Sequence, residues 1–107
     1  MAGNVRRRRG YEAERAICRY LGAERIAGSG RRDGDGGWYA LEAKSREKLP
    51  AWLTAAMAQA ERLSRPEQLA VLVLHQLGDR HDDDLVVVRL REFRDRWVGE
   101  EEEGPCS

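Results

Sequence analysis

Trp38-Tyr39-Ala40-Leu41-Glu42-Ala43-Lys44 is the stretch on which the fold of this chain turns. Its side chains alternate with the period of a β-strand. Tyr39, Leu41 and Ala43 fall on one face and can bury. Glu42 and Lys44 fall on the other, with Cα atoms about 6.5–7 Å apart. A carboxylate and an ammonium so placed can hold a divalent cation and position a water beside it. The plain alternative is an exposed charge pair on a strand face, worth little stability.

The segment just upstream shifts that balance. Gly28-Ser29-Gly30-Arg31-Arg32-Asp33-Gly34-Asp35-Gly36-Gly37 is half glycine and is expected to hold no regular structure. It leads straight into the strand, so the carboxylate of Asp33 or of Asp35 could reach Glu42. Two or three carboxylates with a backbone carbonyl suit Mg²⁺. Asp and Gly are also ordinary turn formers. The loop lacks a Gly-Lys-Ser/Thr ending and is therefore no phosphate-binding P-loop. Ser29, Arg31 and Arg32 could contact phosphate.

Working outward, residues 1–10 read as a basic flexible arm, 11–98 as a single α/β domain, and 99–107 as an acidic disordered tail. Within the domain, helices are expected over Tyr11–Leu21, Ala51–Leu63 and Arg91–Val98. Gly22 is the stop of the first helix and Pro50 the opening residue of the second. Short strands are expected near Glu24–Ala27, at Leu69–Leu74 as a run buried on both faces, and at Leu85–Leu90. The order implies an α/β fold with a central mixed β-sheet flanked by helices.

At 107 residues one domain with a modest core is the natural size. No apolar run approaches the roughly 18 residues of a membrane span, and none follows Arg6–Arg9 to make a signal peptide. Cys18 and Cys106 form neither a disulfide framework nor a metal-ligand pair, which fits a reducing, cytoplasmic location. The 19 basic and 19 acidic residues cancel. They are not mixed evenly: residues 1–65 carry a balance of +6 and residues 66–107 a balance of −6. Such asymmetry points to an anion-facing half, or to two patches that neutralise each other.

Three further positions carry possible chemistry. Glu14 lies at the edge of the first helix's apolar stripe, where a carboxylate needs a partner; a metal ion or Lys44 would serve. Gln59 flanks Trp52, Ala56 and Leu63 on the second helix and could orient a phosphate or a water. His75 reads as structural. His81 with Asp82-Asp83-Asp84 reads as a solvated turn, because consecutive acidic residues cannot all converge on one ion. Cys18 reads as a small buried hydrophobe.

Glu14, Asp33 and Glu42-Ala43-Lys44, in this order, resemble the PD-(D/E)xK nuclease superfamily. Within it the chain resembles the small phage and archaeal Holliday-junction-resolvase-like endonucleases. Arg9-Gly10-Tyr11-Glu12-Ala13-Glu14-Arg15 is similar to their basic, glycine-containing lead into a glutamate-bearing helix. Ala27-Gly28-Ser29-Gly30 is similar to their serine loop. Lys44-Ser45-Arg46-Glu47-Lys48-Leu49-Pro50-Ala51-Trp52-Leu53, with Ala58-Gln59-Ala60-Glu61, resembles phage-borne members. The likeness spans residues 6–98. Arg32 stands where a proline often precedes the motif aspartate. Nine residues from Asp33 to Glu42 suit a tight hairpin, with Asp35 the second choice.

The resemblance implies a restriction-endonuclease-like core and a metal-dependent DNA endonuclease acting on branched DNA. It implies Mg²⁺, with Mn²⁺ as substitute, held by Asp33, Glu42 and the Ala43 carbonyl, with Glu14 direct or through water. Lys44 would position or deprotonate the attacking water, assisted by Gln59 and Ser29. Arg6, Arg7, Arg8, Arg9, Arg31, Arg32 and Arg46 would hold the DNA backbone. A homodimer in a bacterial or phage-infected cell is implied by analogy. Two rival readings remain: a non-catalytic nucleic-acid-binding module of the same fold, and an interaction protein using Trp52, Trp97 and the acidic tail.

Overall fold

A computed structural model describes residues 2–26 and 33–99, with side chains described from Glu12 onward. The elements run α1 (Ala2–Leu21), β1 (Glu24–Arg25), β2 (Gly34–Asp35), β3 (Ala40–Leu41), α2 (Ala51–Leu63), β4 (Leu72–Leu74), β5 (Leu85–Val87) and α3 (Leu90–Phe93). A 3₁₀ turn covers His81–Asp83, and a π-helical turn, Arg94–Val98, continues α3. The class is mixed α and β. Two compact units emerge where one domain over 11–98 was expected. The first is built on the chain up to Arg46 and from Val98 onward, the second on Glu47–Trp97.

In the first unit α1 begins at Ala2 rather than Tyr11, so the expected flexible arm follows a helical path. Arginine is a good helix former, and one interior glycine such as Gly10 costs only about 1 kcal/mol relative to alanine. The helix ends where expected. Gly22 takes φ 70°. Its N–H bonds the Arg19 carbonyl at 3.2 Å, and the Ala23 N–H bonds the Cys18 carbonyl at 2.9 Å. This pair of bonds is the Schellman arrangement, which satisfies carbonyls that the helix end would leave open.

Strands β1, β2 and β3 form an antiparallel meander, with Arg25 opposite Gly34 and Gly34 opposite Leu41. The glycine-rich segment therefore does hold a strand, contrary to the expectation from composition. Position 34 has to be glycine because the helix approaches closely there. A Cβ on it would stand 2.9 Å from Cys18 Sγ and 3.3 Å from the Glu24 carbonyl oxygen. Cys18, Leu21 and Ala23 are buried in this unit.

The second unit pairs α2 with a hairpin of β4 and β5, Leu74 opposite Leu85. Helix α2 covers Ala51–Leu63 as expected, with Pro50 as the residue just before it rather than its first. Its packed stripe is Leu53, Ala56, Met57 and Ala60, at the i, i+3, i+4, i+7 spacing of one helix face. Trp52 and Leu63, the apolar residues that flank Gln59 in the sequence pattern, are exposed and lie outside this stripe. Leu72–Leu74 is not buried on both faces either. Val73 is exposed while Leu72 and Leu74 are half-buried, the alternation of an antiparallel strand.

Every strand pairing among the described residues is antiparallel, in two separate sheets. The expected single mixed sheet is corrected accordingly. Short connections bring neighbouring strands together antiparallel, whereas a parallel pair needs a long crossover. Glu61 on α2 is clasped by Arg89, whose Nη2 and Nε lie 2.8 and 3.1 Å from its two oxygens. Those bonds, with Arg91 nearby, hold the Glu61 carboxyl below its ordinary range.

Candidate metal centre

Asp33 is fixed at both backbone ends. Its N–H donates to the Leu41 carbonyl at 2.7 Å, and its carbonyl accepts the Ile26 N–H at 2.9 Å. Cys18 Sγ approaches the same carbonyl at 3.9 Å. The meander thus aims the Asp33 side chain past the end of β3. There Oδ2 accepts the Ala43 N–H at 2.5 Å. Ala43 thus meets Asp33 through its amide, which leaves its carbonyl outside this bond.

Glu42 stands just beyond β3. A hydrogen bond to the Asp33 carboxyl is the main cause that raises the Glu42 carboxyl above its ordinary 4.5. Partial loss of water and the charges of Asp33 and Glu14 push the same way, while Lys44 opposes them. Lys44 Nζ lies 3.9 Å from Glu42 Oε2. Both side chains are more than half exposed, so this ion pair alone adds little stability.

Glu14 approaches from α1. Its charge reaches Glu42, and it pairs with Arg25, whose Nη2 lies 3.6 Å from Glu14 Oε2. The Arg25 side chain is only 8% exposed. A buried guanidinium and a half-buried carboxylate answer each other's need for charge. Asp35, the second choice for the motif aspartate, is engaged elsewhere. Its Oδ1 accepts the Gly37 N–H at 2.8 Å, closing the β2–β3 turn. Asp33, not Asp35, is the carboxylate brought to Glu42.

No contact with this cluster is described for the remaining expected site residues. Gln59 is exposed on α2 in the second unit. Arg46 is exposed and donates to the Ser45 carbonyl. Arg6, Arg7, Arg8 and Arg9 follow the α1 helix path, and their side chains lie outside the described residues, as do Ser29, Arg31 and Arg32.

Two features escaped the sequence reading. The Arg25–Glu14 pair had no signal beyond Glu14's position. The second is a trio on the β4–β5 hairpin, His75, His81 and Asp84, whose ligating atoms lie within 4.8 Å of one another. Of the acidic run, Asp84 converges on the histidines. No protein-family model, curated protein or solved structure matches the chain. Among the described residues no helix is long and apolar enough to cross a membrane.

Proposed function

We propose that the chain is a metal-dependent endodeoxyribonuclease with a restriction-endonuclease-like site, acting on branched DNA. The observation that carries this reading is the Asp33 carboxylate fixed by the Ala43 N–H, between Glu42 and Lys44 in the chain, with Asp33 the main cause that raises the Glu42 carboxyl. Two carboxyls held together by a backbone that over-determines Asp33 carry a cost unless a cation or a shared proton joins them. Their all-oxygen donor set suits Mg²⁺ or Mn²⁺. The Glu14 charge also acts on Glu42, offset in part by the Arg25 guanidinium.

In this reading Asp33 and Glu42 hold the ion, which supplies positive charge against the phosphodiester in the transition state. The Ala43 N–H locks the Asp33 rotamer, so the acceptor is set before any ligand arrives. Lys44, tethered only loosely to Glu42, is free to orient or deprotonate a water beside the scissile phosphate. The basic α1 segment at Arg6–Arg9, with Arg31, Arg32 and Arg46, holds the DNA backbone without reading bases. Symmetric cutting of two strands at a junction calls for two sites, and hence for a homodimer.

The test is cleavage of branched and linear DNA by the purified chain in Mg²⁺ or Mn²⁺. Branched substrate should be cut and linear duplex spared. Lys44→Ala should slow cleavage by about 10²–10⁴-fold, and Glu42→Gln by at least about 10²-fold. If no DNA is cut, and Glu42→Gln leaves DNA affinity unchanged, the chain is a binding module and the nuclease reading is wrong.

A further inference from the structure

The β4–β5 hairpin carries a group of ligating side chains that the nuclease reading leaves unused. His75 directly follows β4 and Asp84 directly precedes β5. Continuing the ladder one step past Leu74 and Leu85 sets these two residues opposite each other. His75 Nδ1 lies 2.6 Å from Asp84 Oδ1. The 3₁₀ turn then brings His81 back onto the same carboxylate, its Nδ1 3.1 Å from Asp84 Oδ2. The two imidazoles lie face towards face, centroids 4.5 Å apart and planes tilted by 35°. Asp84 is the sheltered member, with its side chain 10% exposed, and His81 the open one at 83%.

We propose that His75, His81 and Asp84 form a binding site for a borderline divalent transition-metal ion, Zn²⁺ as the type case, with a fourth position open to water. A tetrahedral ion with bonds of about 2.0–2.1 Å keeps its ligand atoms about 3.3–3.4 Å apart. The His81–Asp84 separation is already close to that, and the His75–Asp84 separation needs to open by less than an ångström. These two distances run to different oxygens of Asp84, and all three ligand atoms lie within 4.8 Å of one another, so closing them on one ion takes rotation of the side chains. Until a metal arrives, the contacts to Asp84 hold all three ligands in one place, which lowers the ordering cost of binding. Asp82 and Asp83 on the same turn raise the local concentration of cations.

The donor set also selects the ion. Two imidazole nitrogens and one carboxylate suit Zn²⁺, Cu²⁺ or Ni²⁺, whereas Mg²⁺ takes oxygen. The site is therefore chemically distinct from the Asp33–Glu42 pair and stands whether or not the nuclease reading does. Three protein ligands with an exposed fourth position are the pattern of a reactive rather than a closed structural zinc site.

The experiment is calorimetric titration of the untagged full chain with Zn²⁺ alone, in parallel with His81→Ala, His75→Ala and Glu42→Gln. The expected result is one equivalent of Zn²⁺ bound, undisturbed by excess Mg²⁺. Each histidine variant should weaken binding by more than the roughly 10–100-fold typical of merely supporting residues, while Glu42→Gln binds as wild type. Because His81 is exposed, His81→Ala should retain the wild-type melting temperature without metal. Zn²⁺ should then raise that temperature for wild type but not for the variant. Co²⁺ in place of Zn²⁺ should show visible bands without thiolate charge transfer, excluding Cys18 and Cys106. Absence of Zn²⁺ binding overturns the proposal and leaves the trio as a hairpin fastening. Binding lost in Glu42→Gln but kept in His81→Ala overturns it equally, by assigning the ion to the first unit.

Discussion

Glu42 carries a conflict that a bound cation would relieve. Its carboxyl shares a hydrogen bond with Asp33 and titrates above 4.5 in the folded chain, so the folded state binds its proton more tightly than the unfolded state does. The stability linked to that proton is fully present below 4.5 and is lost as pH rises through the raised folded value. Glu42→Gln keeps the shape, removes the charge and can donate to Asp33. The variant should therefore melt above wild type at neutral pH, with the gap closing in acid and narrowing when Mg²⁺ is added. Melting curves across pH check this, and a variant that melts below wild type at neutral pH would contradict it. Stability sacrificed at a reactive position is a common exchange for activity. Asp33, Glu42 and Lys44 were legible in the sequence because a hairpin of that length brings their side chains together. Arg25 was not, since nothing in Glu24-Arg25 signals that the guanidinium turns inward to meet Glu14.

Strand β2 shows why element reading from composition fails where backbones crowd. Glycine normally weakens a strand, yet Gly34 is required because α1 lies against it. Gly34→Ala would press its Cβ on Cys18 Sγ, and should cost about 1–3 kcal/mol in a urea melt. Cys18→Ala clears that contact. The double variant should then be less destabilised than the two single changes together, by at least about 0.5 kcal/mol. Strict additivity would mean that the helix and the strand do not press on each other. Helix α2 was legible to the residue because Pro50 and the alanine-rich run act locally. Which of its faces packs was not, because Trp52 and Leu63 are apolar and yet exposed. His75 and Asp84 come together only through the register of β4 on β5, a long-range fact that no local pattern encodes.

For the whole molecule, zero net charge conceals a basic first part and an acidic last part. If Arg6–Arg9 grip DNA, replacing them with alanine should flatten the dependence of log affinity on log salt by about 0.9 for each phosphate they no longer neutralise. Filter binding at several salt concentrations measures the slope, and an unchanged slope would remove α1 from the interface. The division into two units has a consequence for how such variants are compared. Cys18 is wholly shielded, and it belongs to the first unit, while Trp52 and Trp97 belong to the second. With Cys106 replaced by serine, a thiol reagent in solution can reach sulfur only through openings of the first unit. Its trapping rate is then a private clock for that unit, and indole fluorescence, with Trp38 replaced, is a separate clock for the other. Where the two clocks agree, the chain opens as one cooperative body; where they part, each candidate metal site sits on its own thermodynamic footing.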